Sequence, residues 1–314
     1  MFKANASDEL RLHIGFLNEY RAKSPDEKVT MMLYSDELLL ITTAVHQLKS
    51  SGASLCITTD LSDLNRVMDK ASAIWVKMSG MLRYASRIDF FKLLDLQHLL
   101  PEKFTRRPGR DRFIEITHYN RSNYIEVGRR VVRVVGAHTL VDSAVQQMLD
   151  FCLFEILDNV LIHSAYPAAL GGSGWCSAQH FPAAQEIRLM IADTGIGIHR
   201  ALTGPEGSKF RALSEKQALY QCVKKGVTNG EGMGFGLYAT REFVRLNQGE
   251  LLIYSGSHFA TLQNGRFKVK QGAYWPGTVV YLRIKTKISV DYNSFMPKDH
   301  PLAADFDYFY ANES

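Results

Sequence analysis

The 314-residue chain has no closely spaced cysteines, no long apolar run and no strong excess of charge of either sign. Its four cysteines (Cys56, Cys152, Cys176 and Cys222) are scattered, which predicts neither a disulfide framework nor a CxxC zinc site and favours a reducing cytoplasm. The apolar stretch at residues 38–44 is too short to span a membrane, and no N-terminal signal peptide is apparent. We therefore expect a cytoplasmic protein without a membrane span.

The modest charge restricts the partners that we expect. Lysine and arginine number 37 against 32 acidic residues, which leaves a net charge of +5. This charge suits a small anion such as a nucleotide, but it is too weak to predict nucleic-acid binding. An apolar fraction of 46% is typical of a globular protein, and the length allows two domains.

The clearest change in composition is the segment PEKFTRRPGRDR at residues 101–112. This segment is either a strip that binds phosphate or nucleic acid, or a solvated linker. The linker is favoured because no aromatic stacking platform accompanies the charges. We therefore predict a small α/β domain at 1–100, a basic linker at 101–112, a second domain at 113–290 and an aromatic, acidic tail at 291–314.

Hydrophobic periodicity predicts the elements of both domains. The first domain is expected to contain strands at 29–34 and 54–59 and helices at 36–50 and 61–83. The second is expected to contain helices at 124–135, 140–163 and 237–246, a short helix after the capping-box residue Ser214, strands at 113–117, 187–192, 250–254, 266–270 and 278–285, and a loop at 165–184.

A polar line runs along the long helix predicted at 140–163. Glu155, Asn159 and His163 are spaced four residues apart, so they lie on nearly the same helical face. A carboxylate there can polarise a water molecule, and an amide oxygen can ligate a hard cation such as Mg²⁺. Taken alone, the line is more typical of the ordinary solvent-facing side of an amphipathic helix.

A second pattern, Asp193-Thr-Gly195-Ile-Gly197, follows the apolar strand predicted at 187–192. An aspartate at a strand end can accept a hydrogen bond from the exocyclic amino group of adenine. The two glycines let the backbone pass close to a flat base. Taken alone, an ordinary turn is the stronger interpretation, because Asp and Gly are favoured turn residues.

A third pattern, GEGMGFGL, occupies residues 230–237 and leads into a helix. Closely spaced glycines expose backbone N–H groups, and the start of the helix adds its positive dipole end, so together they suit phosphates. The segment lacks the Gly-Lys-Ser/Thr ending of a Walker loop and follows no strand of a parallel βαβ unit. A flexible surface loop is an equally good interpretation of this segment alone.

These three patterns, followed by Gly277-Thr278 at the start of the last strand, resemble the four motifs of the gyrase, heat-shock chaperone, histidine kinase and mismatch-repair (GHKL) ATPases. The resemblance covers about residues 113–290 and includes FVRLNQGELLIYSG, which is similar to the helix, turn and strand after the phosphate loop of these proteins. It implies a two-layer α/β sandwich of the Bergerat (HATPase) type that binds ATP with Mg²⁺.

The resemblance also implies roles for the matching residues. Glu155 takes the place of the general base, Asn159 that of the Mg²⁺ ligand, and Asp193 that of the adenine-reading aspartate. The other implied nucleotide contacts are Gly195 and Gly197 at the base, Gly232, Gly234, Gly236 and Leu237 at the phosphates, Thr278 near the adenine, and Thr228 at the pocket. Residues 198–229 correspond to the ATP lid. His163 is either the basic residue of kinase-type members or a helix-end cap.

The first domain resembles STAS-like domains in its order of strands and helices. Ser35 is a candidate for the phosphorylated serine of such domains, but a helix N-cap is the better interpretation. His46 superficially resembles a histidine-kinase phosphoacceptor. We expect an ordinary helix residue instead, because strand-like sequence lies on both sides of it.

The preferred functional hypothesis is an ATPase whose lid state controls docking of a partner protein, because kinase-only members often replace the residue at Glu155. One alternative is a serine-directed protein kinase of the anti-sigma-factor type. Another is an ATP-gated scaffold of a defence system that does not hydrolyse ATP. A protein partner is expected, a homodimer is left open, and neither nucleic acid nor a membrane is an expected partner.

Overall fold

The computed structural model describes residues 10–14, 35–52, 55–59, 80, 82–100, 111–137, 143–164, 172–228 and 234–290. The strand predicted at 29–34, nearly all of the helix predicted at 61–83, Gly232 and the tail at 291–314 lie outside these residues. The chain divides into two compact units, Met1–Arg110 and Asp111–Ser314. No helix in the described ranges is both long and apolar enough to cross a membrane.

The first unit combines a short parallel strand pair with helices. Its named elements are strand β1 (Leu10–Ile14), helix α1 (Ser35–Ser50), strand β2 (Leu55–Thr59), helix α2 (Phe90–Leu93) and a 3₁₀ turn (Gln97–Leu99). β1 pairs with β2 in parallel. The predicted helix at 36–50 and strand at 54–59 are confirmed, whereas β1 was not predicted. These elements do not establish a STAS-like fold.

The second unit contains five strands and five helices among its described residues. They are β3 (Phe113–Asn120), α3 (Tyr124–Gly136), α4 (Ser143–His163), β4 (Ser173–Phe181), β5 (Glu186–Ala192), α5 (Gly197–Thr203), α6 (Glu215–Gln221), α7 (Gly236–Leu246), β6 (Glu250–Gln263) and β7 (Arg266–Lys285). The strands form one antiparallel sheet in the order β3-β4-β5-β7-β6. This is an α/β fold, as predicted.

The core lies between the sheet and the helices. Alternate residues of neighbouring strands meet in register, so apolar rows cross the sheet on one face. One such row is formed by Cys176, Ile191, Val280 and Ile253, all of which are buried. Helices α3, α4 and α7 pack over this face and one another. The residue spacing that predicted these helices therefore reflects a real buried stripe.

Helix α4 carries the functional motif and is held on its apolar side by the core. Leu153, Ile156, Leu157 and Val160 of this helix are buried at the helix–sheet interface. Their spacing leaves the opposite side of the last turns free for polar residues. The position of the polar line is therefore determined by the packing of the helix.

Three sequence-based boundaries are wrong. The loop predicted at 165–184 contains β4, whose glycine, serine and polar residues form a strand because β3 and β5 pair with it on both sides. The strands predicted at 266–270 and 278–285 are one strand, β7. The strand predicted at 250–254 continues to Gln263 because β7 pairs with it throughout, with irregularities near Gly256.

Candidate functional site

A cavity lies in the second unit between the last turns of α4, the start of α5, the segment after α6 and the start of α7. It brings together residues that are up to 129 positions apart in the chain, from Phe151 to Val280. The sequence-predicted residues that line it are Glu155, Asn159, His163, Asp193, Gly197, Thr228, Gly234, Gly236, Leu237 and Thr278.

Asp193 forms the buried polar end of this cavity. It follows β5 directly and is only 3% exposed. One carboxylate oxygen, Oδ1, accepts a hydrogen bond of 2.7 Å from the backbone N–H of Gly195. Burial raises the pKa of Asp193 to about 7, although hydrogen bonds from the Gly195 and Thr278 backbones oppose the rise. The side chain can therefore be either a charged acceptor or a neutral acid near neutral pH.

The backbone around Asp193 leaves no room for larger residues. Gly277 has a φ of +89°, and a Cβ added there would lie 2.4 Å from Asp193 Oδ1. The indole Nε1 of Trp275 donates to the carbonyl oxygen of Asp193 at 2.9 Å. Trp275 was not predicted as a site residue because it lies outside all four motifs. The close approach of β7 to this turn therefore requires glycine and holds the aspartate in place.

Gly195 is not among the residues that line the cavity. A Cβ there would come within 2.2 Å of Ser164 Cα and 2.3 Å of the His163 carbonyl oxygen. The neighbouring Ile196 N–H donates to that same carbonyl at 3.0 Å. Gly195 therefore lets this turn close over the C-terminal end of α4, where helix carbonyls lack intrahelical partners.

Gly197 does line the cavity, and its conformation also requires glycine. Its φ is +72°, and an added Cβ would lie 2.7 Å from Ser255 Oγ. That hydroxyl donates to the Gly277 carbonyl at 2.8 Å and accepts from Ile198 N–H at 2.9 Å. Ser255 therefore joins the start of α5, just after β5, to Gly277 within β7.

Glu155 faces the first turn of α7. A Cβ on Gly236, the first residue of that helix, would lie 2.6 Å from the Glu155 carboxylate. Burial raises the pKa of Glu155, and the nearby Asp158 carboxylate raises it further. A carboxylate with a raised pKa is a better proton acceptor than an ordinary surface glutamate.

Asp158 is a cavity residue to which the sequence analysis assigned no role. Partial burial raises its pKa, while the positive charges of Arg121 and His163 act in the opposite direction. It lies three residues after Glu155 in α4, and therefore on a neighbouring part of the helix surface. Its position directly before Asn159 in the sequence was the available signal.

The end of the cavity at the start of α7 is lined by backbone as well as by side chains. Gly234 has a φ of +63°, and its carbonyl oxygen accepts from Gly226 N–H at 3.0 Å. The N-cap residue of this 11-residue helix, Phe235, makes no side-chain capping hydrogen bond to the first N–H groups of α7. This end is chemically suited to an anion, because these groups and the helix dipole act together.

Apolar side chains that the sequence analysis missed form the rest of the lining. Phe151 and Phe235 lie with their ring centroids 6.4 Å apart, and Ile198, Leu202 and Val280 add aliphatic surface. Cys222 also lines the cavity, and burial raises the pKa of its thiol to about 12, so it stays protonated. Such walls suit a flat apolar ligand group held by a few polar contacts.

The side chains of the cavity can ligate a divalent cation only together with oxygen atoms supplied by a bound ligand and by water. The described residues contain no group of three or more His, Cys, Asp or Glu side chains that could hold a metal. Asn159 offers an amide oxygen, and Glu155 is one turn away on α4. Mg²⁺ is commonly held by one or two protein oxygens together with phosphate oxygens and water, so the set fits a nucleotide-bound Mg²⁺.

Comparison with known families agrees with this geometry. Residues 144–288 match the family model of histidine kinase-, DNA gyrase B-, and HSP90-like ATPases. Residues 144–288 are therefore similar to the ATP-binding domain of these proteins, and this range includes every residue lining the cavity. A search of curated proteins found none that matches the chain.

Proposed function

We propose that the chain binds Mg²⁺–ATP in this cavity and hydrolyses it. The observation that carries the proposal is the placement of Asp193 and Glu155 in one cavity with the N-terminus of α7. Adenine would lie against Asp193, whose carboxylate accepts a hydrogen bond from the exocyclic amino group. The triphosphate would extend toward Gly234 and Gly236, where backbone N–H groups and the helix dipole stabilise negative charge.

Asn159 is the residue that we propose as the protein ligand of Mg²⁺. When bound, the ion neutralises part of the charge of the triphosphate. Asn159 lies one helical turn after Glu155, so the ion and the base candidate would lie at the phosphate end. The absence of a three-residue acidic or histidine cluster among the described residues is consistent with binding of the ion as part of the nucleotide complex.

Glu155 is the proposed general base. Its carboxylate would accept a proton from a water molecule as the water oxygen attacks the γ-phosphorus and the bond to the β–γ bridging oxygen breaks. Desolvation raises its pKa, which increases its basicity. Its position beside Gly236 places it next to the helix N-terminus that would hold the phosphates.

The segment predicted as the ATP lid, residues 198–229, is proposed to report nucleotide state to a partner protein. Ile198, Cys222, Val227 and Thr228 of this segment line the cavity, so a bound nucleotide would contact it directly. Contacts made only in the nucleotide-bound state would shift the lid toward its closed form.

The test is phosphate release from labelled ATP by the full chain with Mg²⁺. We expect slow turnover that Glu155→Gln lowers at least about a hundredfold, the usual scale of general-base loss, while binding of an ATP analogue persists. The matched control is Glu126→Gln, which removes an exposed glutamate from α3 and is expected to leave the rate unchanged.

Other outcomes would contradict parts of the proposal. Wild-type turnover in Glu155→Gln would show that another group is the base, with Asp158 the first to examine. If the wild type binds ATP but does not hydrolyse it, the non-hydrolysing scaffold becomes the favoured function. Transfer of label to a protein serine would favour a kinase.

A further inference from the structure

The last two strands extend beyond the sheet as a two-stranded ribbon, which we call the basic ribbon (residues 256–275). β5 pairs with β7 only over Glu186–Ala192, opposite residues 279–285, so the ribbon continues without a third strand among the described residues. It ends in the tight turn Asn264-Gly265, with φ values of 49° and 71°. The ribbon therefore has two faces and two free edges.

The inner face of the basic ribbon is covered. Ala260, Leu262 and Val269 are buried on this side and belong to the main core. Helix α6 packs against both strands, and the rings of Tyr220 and Phe267 meet edge to face at 5.9 Å. The inner face fixes the ribbon to the ATPase domain, so the outer face is the one left to solvent.

The outer face carries a row of cations. Arg266, Lys268 and Lys270 alternate along β7 and are all exposed. Their cross-strand partners are Gln263, Thr261 and Phe259, which therefore lie on the same face. None of the three cations forms an ion pair within the described residues.

The rest of the same strand shows how unusual this row is. Arg283 and Lys285 both pair with the carboxylate of Glu186, and Arg283 also contacts Glu250. Residues 251–290 contain no aspartate or glutamate, and the Glu215 carboxylate of α6 contacts the ribbon at Ser257 and His258, away from the three cations. Its positive potential therefore faces solvent.

Aromatic side chains adjoin the cations. Phe259 lies opposite Lys270 and stacks on Tyr254, with ring centroids 5.6 Å apart and planes 13° apart. The Tyr254 hydroxyl donates to the carbonyl of Ala273, the residue before Tyr274 in the chain. Tyr274 is 56% exposed, the most exposed large apolar side chain among the described residues.

We propose that the outer face of the basic ribbon binds a single strand of nucleic acid. Alternate residues of a strand are about 6.8 Å apart, a repeat that an extended sugar–phosphate backbone can follow. Cations that track phosphates next to an aromatic surface on which bases stack are the two features of single-strand binding sites. An acidic protein segment would use the cations but not Tyr274. The net charge of the whole chain conceals this local arrangement.

The test measures binding of fluorescent dT20 and rU20 to the full chain by anisotropy at several salt concentrations. We compare Arg266→Gln/Lys268→Gln/Lys270→Gln with Lys92→Gln/Arg129→Gln/Arg133→Gln, which removes the same charge from surface positions outside the ribbon. The ribbon variant is expected to lose at least tenfold in affinity. The slope of log affinity against log salt should become shallower by about 2, as for three lost phosphate contacts.

Tyr274→Ala separates base stacking from charge, because it removes an aromatic ring and leaves the net charge unchanged. Loss of one stacked base is expected to weaken binding about fivefold or more without changing the salt slope. The two oligonucleotides identify whether DNA or RNA is preferred, and either preference supports the proposal.

Three results would overturn it. One is an equal loss of affinity in the control variant, and another is no effect of Tyr274→Ala. The third is displacement of the oligonucleotide by polyglutamate of equal charge concentration, which would indicate an acidic protein as the partner. Binding of an ATP analogue by every variant shows that the fold is intact. Because the cavity is not part of this measurement, failure here leaves the proposed function standing.

Discussion

The burial of Asp193 has two opposing consequences for its carboxylate. Burial would exclude water from the proposed ligand contact of its carboxylate, but burial also disfavours the charged form that accepts most strongly. The backbone N–H groups that bond to it offset only part of this cost, so its pKa rises to about 7. Its ionisation is consequently sensitive to both ligand and pH.

The ligand contact predicts a base preference. Asp193→Asn is expected to weaken ADP binding by roughly 1–3 kcal/mol, because a charged acceptor is lost. GDP, which presents a carbonyl oxygen at that position, should be affected less, so the ratio of ADP to GDP affinity falls. Isothermal titration with both nucleotides measures this ratio. An unchanged ratio would mean that the base lies elsewhere.

The raised pKa predicts how stability depends on pH. The folded chain keeps the Asp193 proton up to about pH 7, whereas the unfolded chain loses it near its ordinary value of 3.8. The contribution of this group to the free energy of unfolding is therefore complete below about pH 4 and is lost as pH rises toward 7. Between pH 5 and 7, urea unfolding should show a stability loss of up to about 1 kcal/mol per pH unit that is absent in Asp193→Asn. Parallel curves for the two proteins would contradict the assigned cause.

At the scale of elements, the most informative link joins helix α6 to strand β6. Glu215, the first residue of α6, accepts hydrogen bonds from Ser257 N–H at 3.0 Å and His258 Nδ1 at 3.1 Å. Partial burial acts to raise the pKa of Glu215, but these hydrogen bonds hold it below its ordinary value. The irregular pairing of β6 near Gly256 brings the two donors to the helix.

Glu215→Ala is expected to loosen the α6 part of the proposed lid. The loss of two hydrogen bonds to a carboxylate that is one-third exposed should reduce the free energy of unfolding by about 1 kcal/mol. Limited proteolysis in the loop at 204–213 should become faster, and it should be slowed by an ATP analogue. Lys216→Ala, which changes the adjacent exposed residue of the same helix, is the control. Equal cleavage of both variants and the wild type would contradict the link.

At the scale of the whole molecule, all cavity residues lie in the unit Asp111–Ser314. A ligand that binds only the native form of one unit stabilises that unit by mass action. An ATP analogue at a hundred times its dissociation constant should add about 2.7 kcal/mol to that unit.

Thermal unfolding followed by calorimetry should therefore show a transition that moves to higher temperature with the analogue. Glu155→Gln should retain the shift, and Asp193→Asn should require more ligand for the same shift. If no unfolding transition moves to higher temperature with the analogue, the proposed binding in this cavity is contradicted.

The sequence by itself determined the class of the second unit. The four motifs occur in an order that is hard to obtain by chance, and each depends on local rules: side chains four residues apart share a helix face, and glycines expose backbone. The helix of Glu155 and Asn159, the strand before Asp193 and the helix after Gly236 were all predicted from these rules. Long periodic segments carry the strongest signals, so these helices were predicted to within a few residues.

Only the tertiary structure determined which residues lie next to each motif. β4 is a strand because it is paired on both sides, and Gly195 closes the end of α4 instead of lining the cavity. The basic ribbon exists because β6 and β7 pair far beyond the sheet. This pairing places three alternate cations on one face. Such features depend on contacts between distant residues, and local propensity does not encode them.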